Sequence, residues 1–252
     1  MSREALGHRA STTVPLNAAP DQMKGPVMSS RLDRTELVQR FRDQASDLIL
    51  QMAILLQGGI LSGAAFSLIG IFQTQDDMVI RLILWLTSVI IGLLMFFRLC
   101  HRALFLMSAG VEVLFVLPIM CMLQIIPFAV LSSTALGPAG WRYWYVADTA
   151  VFALGVVANW LALRGLKADQ YAKNMVGLFA RVRVIVRQQC VEGIAATLLT
   201  FLLTIWILAV PPDWPYATIF VSVHLALTVI SSLIIVREDS REMAALRERF
   251  AR

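Results

Sequence analysis

Apolar residues in this chain gather into six long runs, at 48–72, 78–97, 103–131, 144–163, 190–210 and 216–236, each bounded by charged or turn-forming residues. A helix rises about 1.5 Å per residue and the hydrocarbon core of a bilayer is about 30 Å thick, so roughly 20 residues span it. Every run reaches that length. The runs are rich in Leu and Ile with Gly, Ser and Thr scattered among them, unlike the alternating segments of about ten residues that build a membrane barrel. They also lack the polar face of a water-soluble bundle helix: in 83–97 the polar residues are Thr87 and Ser88. The pattern predicts an all-α polytopic integral membrane bundle of six transmembrane helices.

Outside the runs, helical periodicity returns in company with charge. In 31–47, Leu37, Phe41 and Ala45 lead into Leu48 at three- to four-residue spacing, which predicts an amphipathic helix lying on the membrane or extending the first span. In 165–189, Tyr171, Met175, Leu178, Val182 and Ile185 form one stripe and predict a cytoplasmic amphipathic segment. Met243, Leu246 and Phe250 do the same for 237–252, a helical tail continuing the last span. Residues 1–30, punctuated by Pro15, Pro20 and Pro26, read as a disordered cytoplasmic tail with no apolar signal-peptide core. The membrane domain is then 48–236.

Charge sets the expected orientation. Of 22 Lys and Arg residues, only Arg81 and Arg142 fall at the ends of the spans opposite the N-terminal side. This positive-inside bias places both termini in the cytoplasm and the chain in a membrane such as the bacterial inner membrane. The pI near 9.5 and the mean hydropathy of +0.71 follow from the same arrangement. Basic anchors favour an anionic inner leaflet as partner, and nucleic acid is not required to explain them. Trp141, Tyr143, Trp144, Tyr145, Trp214 and Tyr216 cluster at the outer boundary, as an interfacial aromatic belt would.

Polar side chains inside the runs carry the candidate chemistry, because each costs a few kcal/mol on insertion scales and so calls for a reason. Glu112 reads as the deepest carboxyl, in the third run with Gln124 and the helix-distorting Pro118 and Pro127. Asn159 and Glu192 share its inner layer by the expected topology, Glu192 beside Arg187, and His224 is the histidine within a span. Together, Glu112, Gln124, Asn159, Glu192 and His224 are the expected polar path. Gly59, Gly63 and Ser67 give the first span a small-residue seam for helix packing, against another span or a second copy.

Catalytic signatures are missing: there is no G-x-S-x-G, Walker A or G-x-G-x-x-G segment, and an enzyme is not expected. One histidine at membrane depth does not make a bis-histidine haem site, and the cysteines and histidines lack zinc spacing, so no cofactor or metal is expected. Two readings follow. The first is a transport protein, a permease-like subunit or an oligomeric channel, with its path near the kinked third span. The second is a non-catalytic scaffold or accessory subunit whose basic cytoplasmic face recruits membrane-complex partners.

Overall fold

The computed structural model describes residues 34–74, 77–105, 119, 122–166 and 176–250. It is all-helical, with no strand among the described residues. Helix α1 (Arg34–Gln73) turns through Thr74 and Asp77 into α2 (Met78–Phe105). A short α3 (Ile125–Ser132) leads through a 3-10 turn (Pro138–Arg142) into α4 (Tyr143–Gly165), followed by α5 (Val176–Ala209) and α6 (Ala217–Phe250).

Five stretches are long and apolar enough to cross a membrane: Leu50–Gln73, Met78–Arg98, Pro138–Gly165, Phe179–Ala209 and Ala217–Glu242. Their outward faces are strongly apolar, with Leu55, Phe66 and Leu233 among the most exposed side chains. Apolar surface on this scale is costly in water and costs nothing against lipid tails. Most of the expected third span, including Glu112, Pro118 and Cys121, lies outside the described residues; its visible end is α3. There the chain turns at Gln124 before α3 starts, and Pro127 sits in the first turn, where its missing N–H leaves no intrahelical bond unmade.

The helices alternate direction, so their connections collect at two ends. One, the loop end, holds Thr74 and Asp77, the 133–142 segment and the 210–216 turn. The other, the basic end, holds the start of α1, the ends of α2, α4 and α6, and the start of α5. Helix α1 has 40 residues and α5 and α6 have 34 each, about 50–60 Å of rise against a hydrocarbon core of about 30 Å. The excess lies at the basic end. Residues 34–47 are thus the first turns of the same helix as the first span, 176–189 the first turns of α5, and 237–250 the last turns of α6.

Helix α4 packs most extensively on α5, α2 packs on α6, and α1 packs on both α2 and α3. The main core, near the loop end, gathers Ile71, Leu84, Leu131, Trp141, Trp144, Tyr145, Ile207 and Val221. A second contains Ile60, Ala64 and Phe128, with Trp85 donating from Nε1 to the Ala64 carbonyl at 2.9 Å. The tight glycine contact of α1 is at Gly70, where an added Cβ would lie 2.7 Å from Ser132 Cβ of α3. Within the expected seam, Gly59 meets open space, Gly63 faces Ile125 at 3.7 Å, and Ser67 Oγ accepts from Trp85 Nε1 at 3.1 Å.

Candidate functional site

The two arginines that break the positive-inside pattern share one task. Arg81, 1% exposed, donates from Nη1 to the carbonyls of Leu131 (2.6 Å) and Ser133 (3.2 Å) and from Nη2 to Gly137 (2.9 Å). Arg142 donates to Ile207, with Nη2 also reaching Leu208 and Val210. One guanidinium thus caps the C-terminus of α3 and the other that of α5. A helix C-terminus exposes orphan carbonyls and the negative end of the macrodipole, so a cation there is stabilised. This use of Arg81 and Arg142 is invisible in a charge count.

Beneath these caps lies a polar cluster built by α2, α4, α5 and α6. Trp144 and Tyr145 are fully buried rather than set in an interfacial belt, which corrects the expectation for them and for Trp141; Tyr143 and Tyr216 are exposed. Trp144 Nε1 donates to Ser88 Oγ at 2.7 Å, and Ser88 Oγ donates in turn to the Leu84 carbonyl. The Tyr145 hydroxyl and His224 Nδ1 are 3.1 Å apart, with their rings stacked at 5.5 Å between centroids. Thr204 Oγ1 lies within hydrogen-bond distance of Thr149 Oγ1 (3.0 Å) and of the Tyr145 carbonyl (2.9 Å).

Asp148 follows Trp144 and Tyr145 by one helical turn on this same buried face. It is 2% exposed, and its Oδ2 is buried without a hydrogen-bond partner. Buried polar groups are normally hydrogen-bonded, and the exceptions in native structures tend to have a reason. Reading the fourth run as a hydrophobic span passes over Asp148, because one carboxyl near the start of a long run barely changes its average. The available signal is local: an acid flanked by Tyr145 and Thr149 within apolar surroundings.

From this cluster a polar seam descends between α4 and α5. Thr204, Thr200, Thr197, Gly193 and Gln189 recur every three or four residues along one face of α5, about 22 Å of rise in all. The Thr197 hydroxyl donates to the Gly193 carbonyl, that of Thr200 to Thr197, and that of Thr204 reaches Thr200. Each hydroxyl so bonded keeps acceptor lone pairs for other groups. On α4, Asn159 closes the seam by donating from Nδ2 to the Gln189 carbonyl at 3.3 Å.

At the basic end the seam meets a cleft of about 310 Å³ between α2, α5 and α6. Arg98 of α2 forms ion pairs with Glu192 of α5 (2.7 Å) and Asp239 of α6 (3.2 Å). Glu192 Oε1 also accepts from Gln188 Nε2 at 3.1 Å. In sequence Glu192 stands beside Arg187, but its ion pair is with Arg98, a residue remote in sequence and brought close by the packing of α2.

The described residues of the expected polar path lie in three places. Gln124 Nε2 contacts Met95 Sδ at 3.0 Å, between α2 and the start of α3, while its Oε1 is buried without a partner. Asn159 lies between α4 and α5, Glu192 lies in the cleft, and His224 lies against Tyr145 near the loop end. Asn159 and Glu192 are linked through Gln189, which accepts from the first and lines the cleft with the second. Glu112 is outside the described residues.

These features define a helical integral membrane protein with a partly polar interior. Comparison with protein-family models, curated proteins and solved structures finds no match to the chain. Among the described residues no group of three or more His, Cys, Asp or Glu side chains could hold a metal ion.

Proposed function

We propose that this chain is a membrane transport protein for a small cation, with its path along the α4–α5 seam between the cleft at the basic end and Asp148. In this reading the chain crosses the membrane six times, the third crossing running through 103–131, with both termini and the basic end in the cytoplasm. The observation that carries the reading is Asp148 itself, a buried carboxyl with Oδ2 unpartnered, on the helix that packs most extensively against the threonine-bearing α5. Ionisable residues within spans are expensive and by default mark ion or proton pathways. The path differs from the one centred on the third span: Asn159 and Glu192 border the seam and its cleft, whereas Gln124 lies between α2 and the start of α3.

The experiment is reconstitution into liposomes with imposed proton, sodium or potassium gradients. Wild-type protein should pass one of these ions, and Asp148→Asn should lose that flux while keeping its thermal stability. Folded wild type that passes none of them would sink the transport reading.

A scaffold reading has its own support in the helical extensions of α1, α5 and α6 on the basic end. Their exposed Arg181, Arg183, Arg187, Arg237 and Arg241 suit an anionic lipid surface or an acidic partner, whether another subunit or a second copy. Orientation is tested by single cysteines: one at Asp213 should react with an impermeant reagent from outside intact cells, and one at Ser240 should not. The reverse pattern would invert the proposed topology.

A further inference from the structure

We infer that the cation held at Asp148 is a proton, bound on the carboxyl beside the Tyr145–His224 pair; this rests on the transport reading above. The oxygen atoms around the site favour a proton over a metal cation. A hard metal ion needs about six oxygen ligands. Asp148 stands as a lone carboxyl, with no group of three or more His, Cys, Asp or Glu side chains that could hold a metal ion among the described residues, and Thr149 and Thr204 would have to turn away from each other and from the Tyr145 carbonyl to face one. Ser88 Oγ is committed to Trp144 and Leu84, and the Tyr145 hydroxyl to His224. What stands unpartnered is one carboxyl oxygen, Oδ2, and one oxygen is all that a proton requires.

The surrounding charges point the same way. On α4 the titratable neighbour is Tyr145, and on α6 it is His224. Helix α5 presents the hydroxyls of Thr200 and Thr204, and α3 carries no titratable side chain. Helix α2 brings Arg81, whose guanidinium is held by the carbonyls of Leu131, Ser133 and Gly137, and the turn before α4 brings Arg142, held by those of Ile207, Leu208 and Val210, while Asp148 Oδ2 has no hydrogen-bond partner. A buried carboxylate with an unpartnered oxygen is costly, and adding one proton removes the charge. Binding adds one proton to Oδ2, and release returns it, with no change of oxidation state. His224 is partly exposed whereas Tyr145 is fully buried, so the pair leads from the surface of α6 towards the turn that holds Asp148.

The test is infrared difference spectroscopy of the purified full-length protein over a pH titration, beside the liposome assay. A protonated-carboxyl C=O band should appear as pH falls, vanish in Asp148→Asn, and shift its midpoint in His224→Gln. At fixed pH, added sodium or potassium should leave it unchanged. Absence of any Asp148-dependent titrating band overturns the inference, and so does displacement of the bound proton by either metal ion. A titrating band in a protein that passes no protons upholds the proton site while removing the transport reading. If Asp148→Asn does not fold, Asp148→Glu retains the carboxyl and should move the band rather than abolish it; an unmoved band overturns the assignment.

Discussion

The Arg81 guanidinium of α2 and the Leu131 carbonyl at the end of α3 lie 2.6 Å apart, joined by a hydrogen bond between residues 50 positions apart in the chain. The bond ties the end of α3 to α2 and to the loop that follows. Arg81→Ala would leave three carbonyls without this donor, at about 1–3 kcal/mol for each that stays buried. Arg81→Lys should recover only part of the loss, because an ammonium cannot reproduce the planar fork. Thermal unfolding in detergent should rank wild type above Arg81→Lys and Arg81→Ala last. Equal midpoints for all three would show that the caps contribute nothing.

Small residues along α1 are predicted to differ sharply in tolerance. Gly70→Ala places a Cβ 2.7 Å from Ser132 Cβ and should destabilise by about 1–3 kcal/mol through overpacking. Gly59→Ala meets open space and should be neutral or slightly stabilising, since alanine favours the helix over glycine. Denaturation of the two variants side by side checks this. A reversed order would show that Gly59 packs against a second copy or another subunit in the membrane.

Arg98 should couple energetically to both of its carboxylates. Double-mutant cycles with Arg98→Ala against Glu192→Ala and Asp239→Ala are expected to give non-additive stability changes, within the roughly 0.5–3 kcal/mol typical of contacting pairs. The Asp239 cycle should show the larger coupling, because its side chain is 14% exposed against 35% for Glu192 and so is less screened. Strict additivity in both cycles would mean that the ion pairs do not hold α5 and α6 against α2.

Cys100, just beyond the second span, gives a pH-dependent prediction. Partial burial pushes its thiol above the usual range, so at neutral pH it holds less thiolate than a free cysteine. The thiolate is the nucleophile. In a background with Cys121 and Cys190 replaced by serine, maleimide labelling of Cys100 should be slow at neutral pH and accelerate as pH rises past the ordinary thiol range. Labelling at neutral pH as fast as that of a free thiol would contradict this environment.

The sequence by itself determined the solvent and the class of fold. Five of the six runs correspond to helices long and apolar enough to span a bilayer, because span length and lipid-facing hydrophobicity are properties of each segment alone. The helical character of 34–47 and 237–250 was legible in the same way, from local periodicity. Pairing was not legible, because it depends on which helices touch. Tertiary structure joined Arg98 to Glu192 and Asp239, turned Trp144 and Tyr145 from boundary residues into core, and set His224 against Tyr145. It also made Asp148 informative, through the oxygen left unpartnered by its packing. Hydrophobicity acts residue by residue and can be read along a chain, whereas a hydrogen bond needs two groups within about 3 Å, and only the packed helices bring them there.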